Sequence, residues 1–190
     1  MEVLIVGDSF AAPSLSGAYG WPFLLALKHN VTNLAQPGVG EFKILQQLCS
    51  VDPEDYDCTI ISHTSPYRIH TRYNPLHTDI RRNSDFMLND VEHHYNNKVK
   101  HAEVIYKYIS NYVDFDYQQE VWQLYVEKLI GLDNSLHFTF FSGIPTSLIA
   151  NNFNHIFEKY SKSNAYSHLD EKGHDLTYQI IKNLIDKSLR

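Results

Sequence analysis

Cysteine is nearly absent from this chain of 190 residues. Only Cys49 and Cys58 occur, and no C-x-x-C pair is present. That excludes a disulfide framework and a thiolate zinc site, leaving two free, buried thiols as the expectation. Positive charge is also scarce, with 16 Lys+Arg against 22 Asp+Glu and a formal net charge of -6. No basic stripe exceeds the Arg81-Arg82 pair, and Lys98, Lys100 and Lys107 read as a solvated helix face. A nucleic-acid partner is therefore not expected. Long apolar runs are missing too. The opening Met1 to Val6 is broken by Gly7-Asp8 and has no basic residue before it, which argues against a signal peptide, and nothing else approaches a membrane span. The expectation is a cytoplasmic protein with no membrane partner, in which Asn30-Val31-Thr32 is an unused glycosylation sequon. No internal repeat or low-complexity segment occurs. What is plentiful is ordinary globular material, 43% hydrophobic and 20% charged, with 13% aromatic residues. The length suits one domain with a full core.

The apolar residues recur in an alternating pattern. Val3-Leu4-Ile5-Val6 is a β-branched run that stops at Gly7-Asp8-Ser9, as a buried strand does at a small-residue turn. A loop of small residues, Ala11 to Gly20, leads into Trp21 to His29, a helix with Pro22 in its first turn. Val31 to Ala35 reads as a second strand, Pro37-Gly38-Val39-Gly40 as a turn, and Phe42 to Leu48 as a helix carrying Phe42, Leu45 and Leu48. Asp57 to Ser62 and His137 to Ser142 are further strands, and Thr146 to Tyr160 is an irregular, partly helical return. The chain closes with an amphipathic helix from Asp170 to about Leu189, striped by Leu176, Ile180, Ile181, Leu184 and Ile185. Between about Asn83 and Leu132 the chain is polar and aromatic, patterned for helices and free of proline, which predicts a helical insertion or lid. Strands alternating with helices predict an α/β fold with a parallel sheet covered on both faces, its ligand sites beyond the carboxyl ends of the strands.

Ser9 stands at such an end, so its hydroxyl is a candidate nucleophile in need of a base and oxyanion donors. Asp170 is a good N-cap for the last helix, which leaves His168 in the loop just before it, on the same edge of the sheet. Gly7-Asp8-Ser9, the turn Asn33-Leu34-Ala35-Gln36-Pro37-Gly38, and His168-Leu169 followed by Gly173-His174 together resemble the blocks of the SGNH (GDSL-like) hydrolase superfamily. Its members are serine esterases and lipases on a flavodoxin-like, three-layer α/β/α sandwich. The resemblance covers most of the chain apart from the middle insertion. It implies that Ser9 is the nucleophile and that His168 is the general base. The backbone N–H groups of Ser9 and Gly38 would then be oxyanion donors, and no cofactor is implied.

Two positions depart from the family pattern. Where the family has a Gly-x-Asn-Asp sequence after the third strand, this chain has Ser62-His63-Thr64-Ser65-Pro66-Tyr67-Arg68. The hydroxyls of Thr64 and Ser65 are the nearest replacements for the asparagine donor, and loss of one such donor costs roughly 10²–10³ in turnover. The family's aspartate three residues before the histidine is Ala165 here. A Ser–His dyad follows, its imidazole held by a backbone carbonyl or by Asn164 or Ser167. Asp8, Trp21, Tyr67 and Arg68, with Tyr19, are candidate substrate-binding residues, Arg68 for a carboxylate or phosphate. His174 receives no role. Of the eleven histidines, His63, His70 and His77 recur every seven residues and Asp90 precedes His94 by four, but nothing in the sequence makes them converge, so no metal site is expected. The expected activity is hydrolysis of a small carboxylic ester, a small molecule or glycan such as an O-acetylated sugar. The alternatives are a non-catalytic protein of the same fold that binds a glycan or protein, and an interaction protein working through the insertion.

Overall fold

In a computed structural model, which describes residues 1–13, 20–161 and 169–188, five parallel strands form one sheet in the order β2-β1-β3-β4-β5. The strands are β1 (Glu2–Gly7), β2 (Asn30–Asn33), β3 (Cys58–His63), β4 (Ser135–Thr139) and β5 (Asn151–Asn152). The helices are α1 (Trp21–Ala26), α2 (Glu41–Leu48), α3 (Leu88–Asn96), α4 (Ala102–Tyr112), α5 (Phe115–Ile130), α6 (Asn154–Tyr160) and α7 (Glu171–Ser188). This is the flavodoxin-like strand order, an α/β/α sandwich whose order reverses between β1 and β3.

The pleat of β1 explains the three layers. Val3 and Ile5 point to one face and pack with Trp21 and Leu25 of α1, Ile156 of α6, and Ile181 and Ile185 of α7. Leu4 and Val6 point to the other, against Ile44 and Leu48 of α2 and Leu129 of α5. All four are fully buried, which accounts for an unbroken apolar run instead of an alternating one.

Several elements differ from the sequence reading. α1 stops at Ala26 because the chain re-enters the sheet at Asn30, whose N–H donates to Met1 O. β2 ends at Asn33, whose side-chain oxygen takes the Ala35 N–H. β4 begins two residues before His137, and the two-residue β5 is too short to give a period. The expected insertion divides. α5 is the crossover helix that returns the chain from β3 to β4, and its Leu129 belongs to the sheet core. The excursion proper is residues 69–113, in which Ile69 bridges Phe86 and Leu76, Val91, Ala102 and Ile109 form a separate buried cluster that Phe115 of α5 also covers. Cys58 is buried, its thiol pushed up to about 11 by desolvation, but Cys49, expected to be buried, is exposed at the end of α2. No described helix is long and apolar enough to cross a membrane.

Candidate active site at the carboxyl edge

The strand order brings the ends of β1 and β3 together, and the segments carrying Ser9 and Gly38 enter this edge as a pair. Gln36 N–H donates to Gly7 O at 3.0 Å, so Ser9 and Gly38 each stand two residues beyond one backbone hydrogen bond. Gly7 is held from α2 as well. Its N–H donates to Gln47 Oε1 at 2.8 Å and its carbonyl accepts from Gln47 Nε2 at 3.2 Å. Beyond it the chain turns tightly, with Asp8 O accepting from Ala11 N and Ala12 N, and Asn33 Nδ2 donates to Ala11 O. Ser9 is half-buried on this turn. Neither its N–H nor that of Gly38 donates to any partner among the described residues. Two unsatisfied donors at one sheet edge are what an oxyanion requires.

Gly38 has φ +77, and a Cβ there would lie 2.6 Å from Ser84 Cβ, so only glycine fits. Asp85, fully enclosed, fixes this turn. Its N–H donates to Gly38 O (2.8 Å), and its carboxylate receives Gly40 N–H (2.6 Å), Thr71 N–H (2.9 Å) and Lys43 Nζ (2.8 Å). Arg68 adds Nη1 to Gly38 O at 3.0 Å and Nε to Thr64 Oγ1 at 2.8 Å. Burial lowers the Arg68 pKa, opposed by the charges of Asp8, Asp85 and Asp90. Arg68 is thus engaged with the protein through Nε and Nη1. Asp8, expected to touch substrate, is closed off from any ligand. It is fully buried, Oδ1 accepting from Phe10 N and Oδ2 from Thr64 Oγ1, and burial raises its pKa to about 6. Thr64, which gives its one hydroxyl proton to Asp8, has none left for an oxyanion. Ser65 Oγ only accepts, from Tyr67 N at 3.3 Å, so its proton is the one available at the position of the missing asparagine.

A row of buried and half-buried polar groups, unforeseen in the sequence, backs this edge. Glu41, the first residue of α2, receives Thr64 N–H and Trp122 Nε1–H on Oε2 and faces His63 Nδ1 with Oε1 at 2.6 Å. His63 Nε2 meets His137 Nδ1 at 2.9 Å, His137 Nε2 meets Ser135 Oγ at 2.6 Å, and Ser135 Oγ donates to Leu132 O at 2.6 Å. Desolvation, with His63 second, pushes His137 down to about 3, so it is neutral. A local signal exists only for Gln47, a polar residue three positions after Ile44 on the core face of α2.

His168 and Tyr19 lie outside the described residues. Leu169, immediately after His168, is buried in the same core cluster as Phe10, immediately after Ser9. Asp170 caps α7 as expected, its Oδ1 accepting Gly173 N–H at 2.8 Å. His174 accepts Trp21 N–H at 3.4 Å and so tethers the start of α1. Trp21 is fully buried against Phe138 with its indole N–H on Phe10 O, a core residue that lines no cleft. Tyr67 is half-exposed beside Phe115 and remains on the rim.

No protein-family model and no curated protein matches the chain. Among solved structures it is similar to a protein assigned to the G-D-S-L lipolytic family, from Desulfitobacterium hafniense DCB-2, at 14% identity and a TM-score of 0.45, covering 96% of this chain and 98% of that one. A likeness of that size carries no statement about chemistry.

Proposed function

We propose that the chain is a serine ester hydrolase acting on a small acyl ester, an O-acetylated sugar being one such substrate. The observation that carries this reading is the pair of unsatisfied N–H groups, on Ser9 and Gly38, at the reversal of strand order beside a half-buried serine hydroxyl. The shared cluster of Phe10 and Leu169 supports it by bringing the flanks of Ser9 and His168 into one core. In the reaction Ser9 Oγ bonds to the acyl carbon as His168 takes its proton, and the oxyanion rests on the N–H groups of Ser9 and Gly38 and on the Ser65 hydroxyl. The bond to the alcohol then breaks, and His168 returns the proton to the leaving oxygen. Water, deprotonated by His168, attacks the acyl-serine, releasing the acid and restoring Ser9.

The test is labelling of the full chain with a fluorophosphonate, read by mass spectrometry. An adduct on Ser9 is expected, absent in Ser9→Ala and slowed roughly 10²–10⁴-fold in His168→Ala. Ser65→Ala should lower esterase turnover by roughly 10²–10³. No adduct, or one indifferent to His168→Ala, overturns the reading in favour of a binding protein on the same fold. The commitment of the Thr64 hydroxyl to Asp8 favours that alternative.

A further inference from the structure

Three side chains in the excursion converge on one point. His77 comes from the loop after β3, while Asp90 and His94 stand one turn apart on α3, and one ligand atom from each lies within 4.8 Å of the others. His77 Nε2 is 3.1 Å from Asp90 Oδ2, and His94 Nδ1 is 3.6 Å from Asp90 Oδ1. The two contacts run to different oxygens of the carboxylate, each near the roughly 3.4 Å that separates ligands about 2.1 Å from a tetrahedral zinc. The His77 side chain is 5% exposed, His94 16% and Asp90 36%, so the cluster is closed on the protein side and open to solvent beside the carboxylate.

We propose that His77, Asp90 and His94 bind a divalent transition cation, with zinc the best match to two imidazoles and a carboxylate, and with water in the fourth position. This departs from the expectation drawn from the sequence. The seven-residue recurrence is not the ligand set, because His63 turns to Glu41 and His70 to Asp85, whereas the helix places Asp90 and His94 on one face and the loop delivers His77 to them. Without metal, His77 hydrogen-bonds the Asp90 carboxylate and His94 Nδ1–H donates to Asp90 O at 2.8 Å. Binding requires each ring to carry its proton on the other nitrogen, leaving the ligating one bare. The ligands adjoin Leu76 and Val91 in sequence, so a cation would cross-link loop and helix across the small core of the excursion.

The test is titration of the chelator-treated full chain with Zn²⁺, followed by calorimetry and thermal unfolding. One ion per chain at micromolar affinity and a rise in Tm are expected, both lost in His77→Ala and His94→Ala and both kept in His70→Ala and His93→Ala. Co²⁺ substituted into the wild-type chain should give the intense visible spectrum of four-coordinate metal, a readout that no variant's folding can obscure. Binding that survives both ligand substitutions, no micromolar binding at all, or a faint six-coordinate cobalt spectrum overturns the site.

Discussion

Asp8 ties the stability of the edge to pH. Desolvation raises its pKa from 3.8 to about 6, so the folded chain keeps this proton where the unfolded chain has lost it. The stabilisation is full below about pH 4 and is lost as pH rises through about 6. Two pKa units correspond to about 3 kcal/mol. Urea midpoints of wild type and Asp8→Asn, measured from pH 4 to 7.5, should shift in favour of the variant as pH rises, by up to that amount. Parallel profiles would remove the burial argument. Gly-Asp-Ser was legible as a motif, but the task of its aspartate was not. That task depends on Thr64, 56 positions away in sequence, and on the guanidinium of Arg68. Gly7 was legible as a turn glycine. The need for it is sharper than a turn, since a Cβ there would sit 2.6 Å from Ser62 Cβ.

Among elements, α5 does the most to join the layers. Its Trp122 indole N–H is shared between Glu41 Oε2 and Thr64 O, each at 3.1 Å, clamping the crossover helix to α2 and to the end of β3. Trp122→Phe keeps an aromatic ring in place but leaves two buried acceptors short of a donor. A loss of about 1–3 kcal/mol is expected in the denaturant midpoint, with m unchanged. Helical periods made α2 and α7 readable, and short buried runs bounded by turn residues made β1 and β3 readable. α5 was readable as a helix but not as part of the sandwich. Its one deep anchor into the sheet core, Leu129, looks no different in sequence from the apolar residues of the excursion. The brace of Gly7 by Gln47 and that of Gly40 by Asp85 span 40 and 45 positions, beyond any local pattern.

For the whole molecule, the separate core of residues 69–113 predicts two cooperative units. Hydrogen exchange followed residue by residue by NMR should show α3 and α4 opening together at lower free energy than β1 and β3. The Gly40 amide should exchange with them and not with α2, because its acceptor is Asp85, inside the excursion. Exchange of Gly40 at the rate of α2 would contradict this. The turn at Gly38 to Gly40 then takes its order from the excursion, and whatever tightens the excursion tightens the turn.

The buried row behind the edge has a direction. Ser135 gives its proton to Leu132 O, so His137 must donate through Nε2 and accept at Nδ1. His63 must then donate through Nε2, and one proton has to lie between its Nδ1 and Glu41, since two lone pairs cannot face each other at 2.6 Å. The need for a proton between His63 and Glu41 thereby traces back to a peptide carbonyl at the opposite end of β4. The ordering is held in hydrogen-bond polarity, and it needs no part of the backbone to move.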